Sequence, residues 1–110
     1  MSKSKPSAVA TRSAPADREI AQFRLYVANE TPNSVRAIAN LQAICQQYLR
    51  DRCKIEIVDI LQEPLRALSE GVLVTPTLVR LSPSPVRTIV GDLGSRSIVL
   101  HALGLETQNE

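Results

Sequence analysis

Residues 23–36 have the sequence Phe-Arg-Leu-Tyr-Val-Ala-Asn-Glu-Thr-Pro-Asn-Ser-Val-Arg, and this stretch decides the fold. Its first five residues alternate apolar and other side chains, which predicts a β-strand. Thr31 and Pro32 then predict a helix start, with Thr31 as the N-cap and Pro32 at the first helical position, where a missing N–H costs nothing. The chain is therefore expected to pass from a strand directly into a helix.

The residues that follow extend this pattern into a βαβ unit. An apolar stripe from residue 35 to residue 49, at three- and four-residue spacing, predicts a long amphipathic helix. Residues 54–61, Lys-Ile-Glu-Ile-Val-Asp-Ile-Leu, are rich in β-branched side chains and predict a second strand. Two strands joined through a helix are expected to be parallel, with a right-handed crossover.

The second half of the chain predicts a short helix, a hairpin and a final helix. A helix over 65–70 is expected to end at Gly71, and a last helix over 95–103 at Gly104. Strands over 77–81 and 86–90 flank a Ser-Pro-Ser-Pro turn and should pair antiparallel. The order βαβ-α-ββ-α is the thioredoxin topology. The predicted fold class is therefore α/β, a single thioredoxin-like domain with a four-stranded mixed sheet.

Composition predicts how the 110 residues are organised. Residues 1–19 are rich in Ser, Ala and Pro and are expected to be a disordered tail, whereas 20–106 form the domain and 107–110 a flexible C-terminus. The tail carries four basic and two acidic residues, and the rest of the chain carries nine of each. The charge thus predicts no nucleic-acid-binding face. With no secretory signal and no apolar run near the roughly 20 residues of a membrane span, we expect a cytoplasmic protein without a membrane partner.

The cysteines do not stand where a redox enzyme of this topology needs them. Such an enzyme keeps a cysteine pair at the entrance to the first helix, where the helix N-terminus stabilises a thiolate, and residues 28–34 contain none. Cys45 lies on the apolar stripe and Cys53 just before the second strand, so both are interpreted as small hydrophobic residues without a disulfide. Two cysteines and one histidine are too few for a zinc site. We predict no catalytic residue, no metal and no cofactor.

The turn before the third predicted strand is the second notable position. Residues 74–78, Val-Thr-Pro-Thr-Leu, place Pro76 where thioredoxin-like folds commonly have a cis peptide bond. The backbone there lies beside the first-helix entrance and is suited to pairing with an extended ligand. The alternative is an ordinary Thr-Pro turn.

Several blocks of the sequence resemble one family. Residues 25–36 are similar to the opening of the KaiB family of circadian clock proteins, and later blocks agree in order and spacing. These blocks are 57–61 (Ile-Val-Asp-Ile-Leu) followed by Pro64, 75–78 (Thr-Pro-Thr-Leu), 85–87 (Pro-Val-Arg) and 89–93 (Ile-Val-Gly-Asp-Leu). The resemblance covers the chain from about Phe23 to Leu105 and leaves the leading segment unexplained.

The resemblance implies a non-catalytic regulator. KaiB proteins bind the ATPase ring protein KaiC and help to sequester KaiA, so a KaiC-like ATPase and a KaiA-like protein are the expected partners. The family also has two folds, a tetramer whose C-terminal half is rearranged and a thioredoxin-like monomer, and the resemblance leaves monomer and homo-tetramer open. Where clock KaiB proteins resemble Gly-Leu-Asp, this chain has Ala102-Leu-Gly104. Because Ala102 favours a helix and Gly104 can cap one, we expect the thioredoxin-like form, with the rearranged form disfavoured.

Four charged residues are candidates for contact with a partner. Arg36 and Arg87 match basic positions of the family, and a guanidinium is well suited to pairing with carboxylates. Glu56 and Asp59 lie on the second strand, where they could form edge contacts. The alternative for all four is a solvated surface charge. Two other functions remain open: a chaperone-like or stress-related binding module without a clock role and, less favoured, a thiol oxidoreductase.

Overall fold

The computed structural model describes residues 20–105, so the predicted tail, residue 106 and the predicted flexible C-terminus lie outside the described residues. The described chain has the predicted order of elements, with ends within about two residues of those expected. They are β1 (Ala21–Val27), α1 (Pro32–Tyr48), β2 (Cys53–Asp59), α2 (Pro64–Ser69), β3 (Thr77–Ser82), β4 (Arg87–Val90) and α3 (Arg96–Leu103). No helix within these residues is long and apolar enough to cross a bilayer.

The four strands form one mixed sheet in the order β2-β1-β3-β4. β1 pairs parallel with β2, as the βαβ unit predicts, and antiparallel with β3. β3 and β4 form the predicted antiparallel hairpin. The predicted thioredoxin-like fold class is confirmed, and β2 and β4 are the edge strands.

The main core lies between one face of the sheet and the helices α1 and α3. Alternate residues of β1 point into it, because side chains of a strand alternate between the two faces. The buried members from the three elements are Ala21, Phe23, Leu25, Val27, Ala37, Leu41, Ile44, Cys45, Val99, Leu100 and Leu103. Most of the buried aliphatic side chains therefore lie on this face of the sheet.

The opposite face of the sheet has a much smaller buried cluster beneath α2. Tyr26 and Val58 are opposite each other on β1 and β2 and are almost fully buried. Ala67 is the buried residue of α2. The short helix α2 therefore buries one small side chain, Ala67, and its two leucines stay exposed to solvent.

The start of α1 differs in detail from the prediction. Thr31 is the N-cap residue, but its side chain makes no capping hydrogen bond. The Thr31 hydroxyl instead donates to Ser34 Oγ, 2.8 Å away, and Ser34 is fully buried. Ser34 Oγ also accepts the N–H of Ala28 at 3.1 Å, so the hydroxyls fix the loop before the helix rather than the helix end.

The end of α3 follows the prediction for Gly104. This glycine adopts a left-handed conformation with φ 70°, and its N–H donates to the carbonyl of His101. Residues 98–103 are helical, not a strand. The form described here is thus the thioredoxin-like one.

The expectation that the cysteines form no disulfide is wrong. Cys45 of α1 and Cys53, the first residue of β2, are joined, with their Cα atoms 6.2 Å apart. The cause is the tight turn between them, in which the Cys45 carbonyl accepts the N–H groups of Leu49 and Asp51. This turn brings the start of β2 beside the last turn of α1, a proximity that an eight-residue spacing in the sequence does not reveal.

Candidate protein-binding surface

Four loops lie at one end of the sheet, because β1, β2 and β4 end there and β3 begins there. These loops are residues 28–31, 60–63, 70–76 and 91–95, and we call this end of the domain the loop end. The opposite end, with the start of β2 and the 83–86 hairpin, is the far end. In a thioredoxin-like fold the loop end is where the first-helix entrance and the proline turn meet.

The proline turn at the loop end is tied to the exit of β4. The peptide bond between Thr75 and Pro76 is cis. The Pro76 carbonyl accepts the N–H of Gly91 at 2.9 Å, and Thr77 Oγ1 donates to the Val74 carbonyl at 2.8 Å. Among residues 20–105 no hydrogen bond is formed to the main chain of Thr75.

Arg36 lies in the first turns of α1 and contacts the loop after β4. Its Nε donates to Asp92 Oδ2 at 3.1 Å, it also contacts Asn33 Oδ1, and 56% of its side chain is exposed. The Asp92 carboxylate accepts the N–H of Gly94 at 2.9 Å as well. The Gly94 N–H and then the Arg36 guanidinium lower the pKa of Asp92, since both stabilise its charged form. Arg36 is thus at the loop end, already paired, yet half open to solvent.

Asp59, at the end of β2, holds two neighbouring backbone segments through its carboxylate. Its Oδ1 accepts the N–H of Asn29 at 3.2 Å and that of Leu61 at 2.9 Å. The first bond holds the loop before α1, and the second turns the chain, which is why β2 ends at Asp59 rather than at residue 61. Asp59 therefore shapes the loop end through the backbone.

Glu56 lies on the sheet face that carries α2 and joins two arginines. It accepts hydrogen bonds of 2.9 Å from Arg24 Nε and 2.9 Å from Arg66. Glu70 of the same cluster pairs with Arg24 at 3.3 Å. The hydrogen bonds from Arg24 and then Arg66 lower the pKa of Glu56. Glu56 thus fastens α2 to the sheet, and it is separate from the loop end.

Arg87 stands apart from the other three candidates. It is the first residue of β4, at the far end, and lies opposite Arg80 on β3. Within residues 20–105 it has no carboxylate partner. The four candidates consequently do not form one site: Arg36 and Asp59 both lie at the loop end, but Arg36 contacts the loop after β4 and Asp59 ends β2, at the opposite edge of the sheet, whereas Glu56 and Arg87 lie elsewhere.

Sequence reasoning missed a set of exposed apolar residues between β2 and β3. We call this set the α2 apolar surface: Leu61, Leu65, Leu68, Leu73 and Val74, with 65%, 79%, 68%, 88% and 50% of each residue exposed. Leu65 and Leu68 share a helix face, because residues three apart are neighbours on a helix. The available signal was that the six residues of α2 include two leucines, and the structure shows that Ala67 is the buried residue of this helix. Such exposed clusters commonly mark interaction sites.

Within the described range, no three His, Cys, Asp or Glu side chains are grouped so that they could hold a metal ion.

The geometry defines a class of protein, a thioredoxin-like domain with a proline turn at the loop end and no cysteine at the first-helix entrance. Solved structures agree on the fold. Mitochondrial thioredoxin 3 of Saccharomyces cerevisiae is 16% identical with a TM-score of 0.62, covering 81% of this chain and 82% of that one. The N-terminal domain of Synechococcus elongatus SasA is 18% identical with a TM-score of 0.60, covering 96% of this chain and 95% of that one.

Sequence comparison identifies the family. Residues 24–105 match the KaiB domain. Circadian clock protein KaiB3 of Synechocystis sp. is 43% identical over 84 residues, which cover 76% of this chain and 80% of that protein. The chain belongs to the KaiB family, and the resemblance found in the sequence is confirmed. The named relatives are clock proteins.

Proposed function

We propose that this chain is a non-catalytic regulator that binds a KaiC-type ATPase ring protein in a circadian clock or a clock-derived signalling system. Membership of the KaiB family supports the type of partner. The observation that carries the proposal is the α2 apolar surface, which extends into the loop end through Leu61, Leu73 and Val74. Apolar anchors in a polar rim are the usual core of a protein–protein interface.

The charged candidates have different parts in this proposal. Arg36 is half exposed and faces the loop end, so it could pair with a partner carboxylate at the edge of the contact. Asp59 and Glu56 act indirectly, because they hold the loop before α1 and the helix α2 in place. Arg87 lies at the far end and is proposed for a separate contact, such as one with a KaiA-like protein. We place this activity in the cytoplasm.

Binding to a purified KaiC-type ring tests the proposal. We expect co-elution on size-exclusion chromatography, and about a tenfold weaker affinity for the double variant Leu65→Ser/Leu68→Ser, because two apolar anchors are lost. Arg36→Ala should weaken binding by a smaller factor. Val86→Ser is the matched control, since Val86 is 59% exposed but lies at the far end. Absence of any complex, or equal loss in the Val86 variant, would contradict the proposal.

A chaperone-like binding module is the second candidate, because the same exposed leucines could hold apolar segments of unfolded clients. Suppression of the aggregation of a heat-denatured client, lost in Leu65→Ser/Leu68→Ser, together with no ring binding, would favour it. A ring complex without any effect on client aggregation would reject it.

A further inference from the structure

The Cys45–Cys53 bond lies at the far end of the domain, away from the proposed binding surface. Cys53 pairs with Ala21, whereas Thr77, next to Pro76, pairs with Tyr26. These positions are separated by about 17 Å along β1, at roughly 3.4 Å per residue. The bond therefore belongs to neither the first-helix entrance nor the proline turn.

The sulfur pair is reachable from solvent. Cys45 is buried at 4% exposure, but Cys53 is only half-buried. Beside the bond is an open surface groove of about 370 Å³. Its lining residues are Gln42, Cys45, Gln46, Asp51, Cys53 and Ile55. A small thiol can thus approach Cys53 without unfolding of the domain.

The bond closes a turn that is unfavourable by itself. Arg50 and Asp51 are consecutive non-glycine residues with φ of 52° and 63°, a left-handed conformation in which a side chain crowds the backbone. The turn holds the end of α1 against the start of β2. Among the described residues, β2 is an edge strand paired with β1 alone, and this junction is what holds its first residue to α1.

We propose that Cys45 and Cys53 are a reversible dithiol–disulfide pair that sets how firmly β2 is held against α1. A thiolate of a small thiol such as glutathione attacks Cys53 Sγ, a mixed disulfide forms, and Cys45 leaves as a thiolate that takes up a proton. A second thiol resolves the mixed disulfide and frees Cys53. Overall, the protein disulfide and two small thiols give the protein dithiol and one small disulfide, a two-electron exchange. In a reducing compartment the pair is open, and it closes when the thiol pool becomes oxidised.

Thiol trapping of the full-length chain is the first test. The protein is equilibrated in glutathione buffers of varied oxidised fraction, quenched with acid, alkylated and weighed by mass spectrometry. We expect chains with either no alkylated cysteine or two, in proportions that follow the buffer. The proposal is overturned if both cysteines stay alkylatable in fully oxidised buffer, or if the bond stays closed in excess dithiothreitol while the protein is folded.

Hydrogen exchange on the two trapped states is the second test. Reduction should speed exchange of amides in residues 53–59 by about tenfold, leave residues 77–82 unchanged, and lower the melting temperature by roughly 10 °C. Cys45→Ala/Cys53→Ala is the matched control and should not respond to the buffer. Equal exchange of β2 in both states would overturn the proposal. None of these readouts involves a partner, so their failure is distinct from failure of the proposed function.

Discussion

Arg80 shows how one side chain on a strand joins two distant parts of the fold. It faces the main core from β3 and is only 8% exposed. Its guanidinium donates to the carbonyls of Leu103, at 2.5 Å, and Pro85, at 2.9 Å, while its Nε has no hydrogen-bond partner within the described part of the chain. Burial, and then the nearby Arg87, lower the pKa of Arg80. The cation thereby fastens the end of α3 and the 83–86 hairpin to the sheet.

Glu56 is one of the charged residues that join α2 to the sheet. Its carboxylate bridges Arg24 of β1 and Arg66 of α2, and both ion pairs require the ionised form. Because its pKa in the folded protein lies below the ordinary value of 4.5, folding favours the charged form. The stabilisation is present above that ordinary value and is lost as the pH falls through the folded value.

We therefore predict that Glu56→Gln destabilises the domain at neutral pH by an amount that disappears in acid. The difference in melting temperature between wild type and variant should be constant above pH 4.5 and shrink below it. Melting curves from pH 7 to pH 3, followed by circular dichroism, measure it. Glu30→Gln is the control, since Glu30 has no ion pair among residues 20–105. A difference that grows in acid would contradict the prediction.

At the scale of elements, α3 depends on how it ends. Gly104 takes the left-handed C-cap position, and the N–H of Leu105 reaches the carbonyl of Leu100 at 2.8 Å. Apart from its chain neighbours and its own helix, nothing among residues 20–105 lies within 4 Å of the place that a Cβ at residue 104 would take, so the constraint there is backbone conformation rather than space. Ala102 is inside the helix, where alanine is the most favourable residue.

We predict that Gly104→Ala and Ala102→Gly each lower the free energy of unfolding by about 1 kcal/mol, the first through the left-handed backbone and the second through helix propensity. Urea denaturation and hydrogen exchange of residues 96–103 measure the effects. Gly71→Ala is the matched control, because Gly71 has φ 75° after α2 and similar open space. Gly71→Ala should lower the free energy of unfolding by a similar amount but leave the hydrogen exchange of residues 96–103 unchanged. If hydrogen exchange of residues 96–103 is the same in Gly104→Ala as in the wild type, Gly104 does not stabilise the end of α3.

At the scale of the whole molecule, the placement of sulfur separates this chain from the thioredoxins whose fold it shares. Cys45 lies in the last turn of α1, where the helix dipole disfavours negative charge, and the first-helix entrance has no cysteine. The disulfide is at the far end, away from the proline turn that an extended substrate would contact.

The expected result is that the protein does not accelerate reduction of insulin by dithiothreitol, although its own disulfide opens under the same conditions. The rate of insulin precipitation, with a thioredoxin as the positive control, measures this. Turnover that is abolished in Cys45→Ala/Cys53→Ala would restore the thiol oxidoreductase hypothesis.

Local patterns in the amino-acid sequence were enough to predict the order of the elements and the family. The patterns that predict the elements are alternation in residues 23–27, the apolar stripe of α1, and Gly104 at the end of α3. Such patterns depend only on residues that are close together in the sequence, so they can be read without knowing the rest of the fold. The cysteine-free first-helix entrance is likewise a property of sequence alone.

Which side chains contact one another, and which stay exposed to solvent, follows from the folded chain and not from local patterns. The Cys45–Cys53 bond, the pairing of Arg36 with Asp92 and the bridge from Arg24 through Glu56 to Arg66 join residues on different elements. The exposure of Leu65 and its neighbours depends on how α2 lies on the sheet. Such contacts are set by strand register and packing between distant segments, which no local pattern encodes.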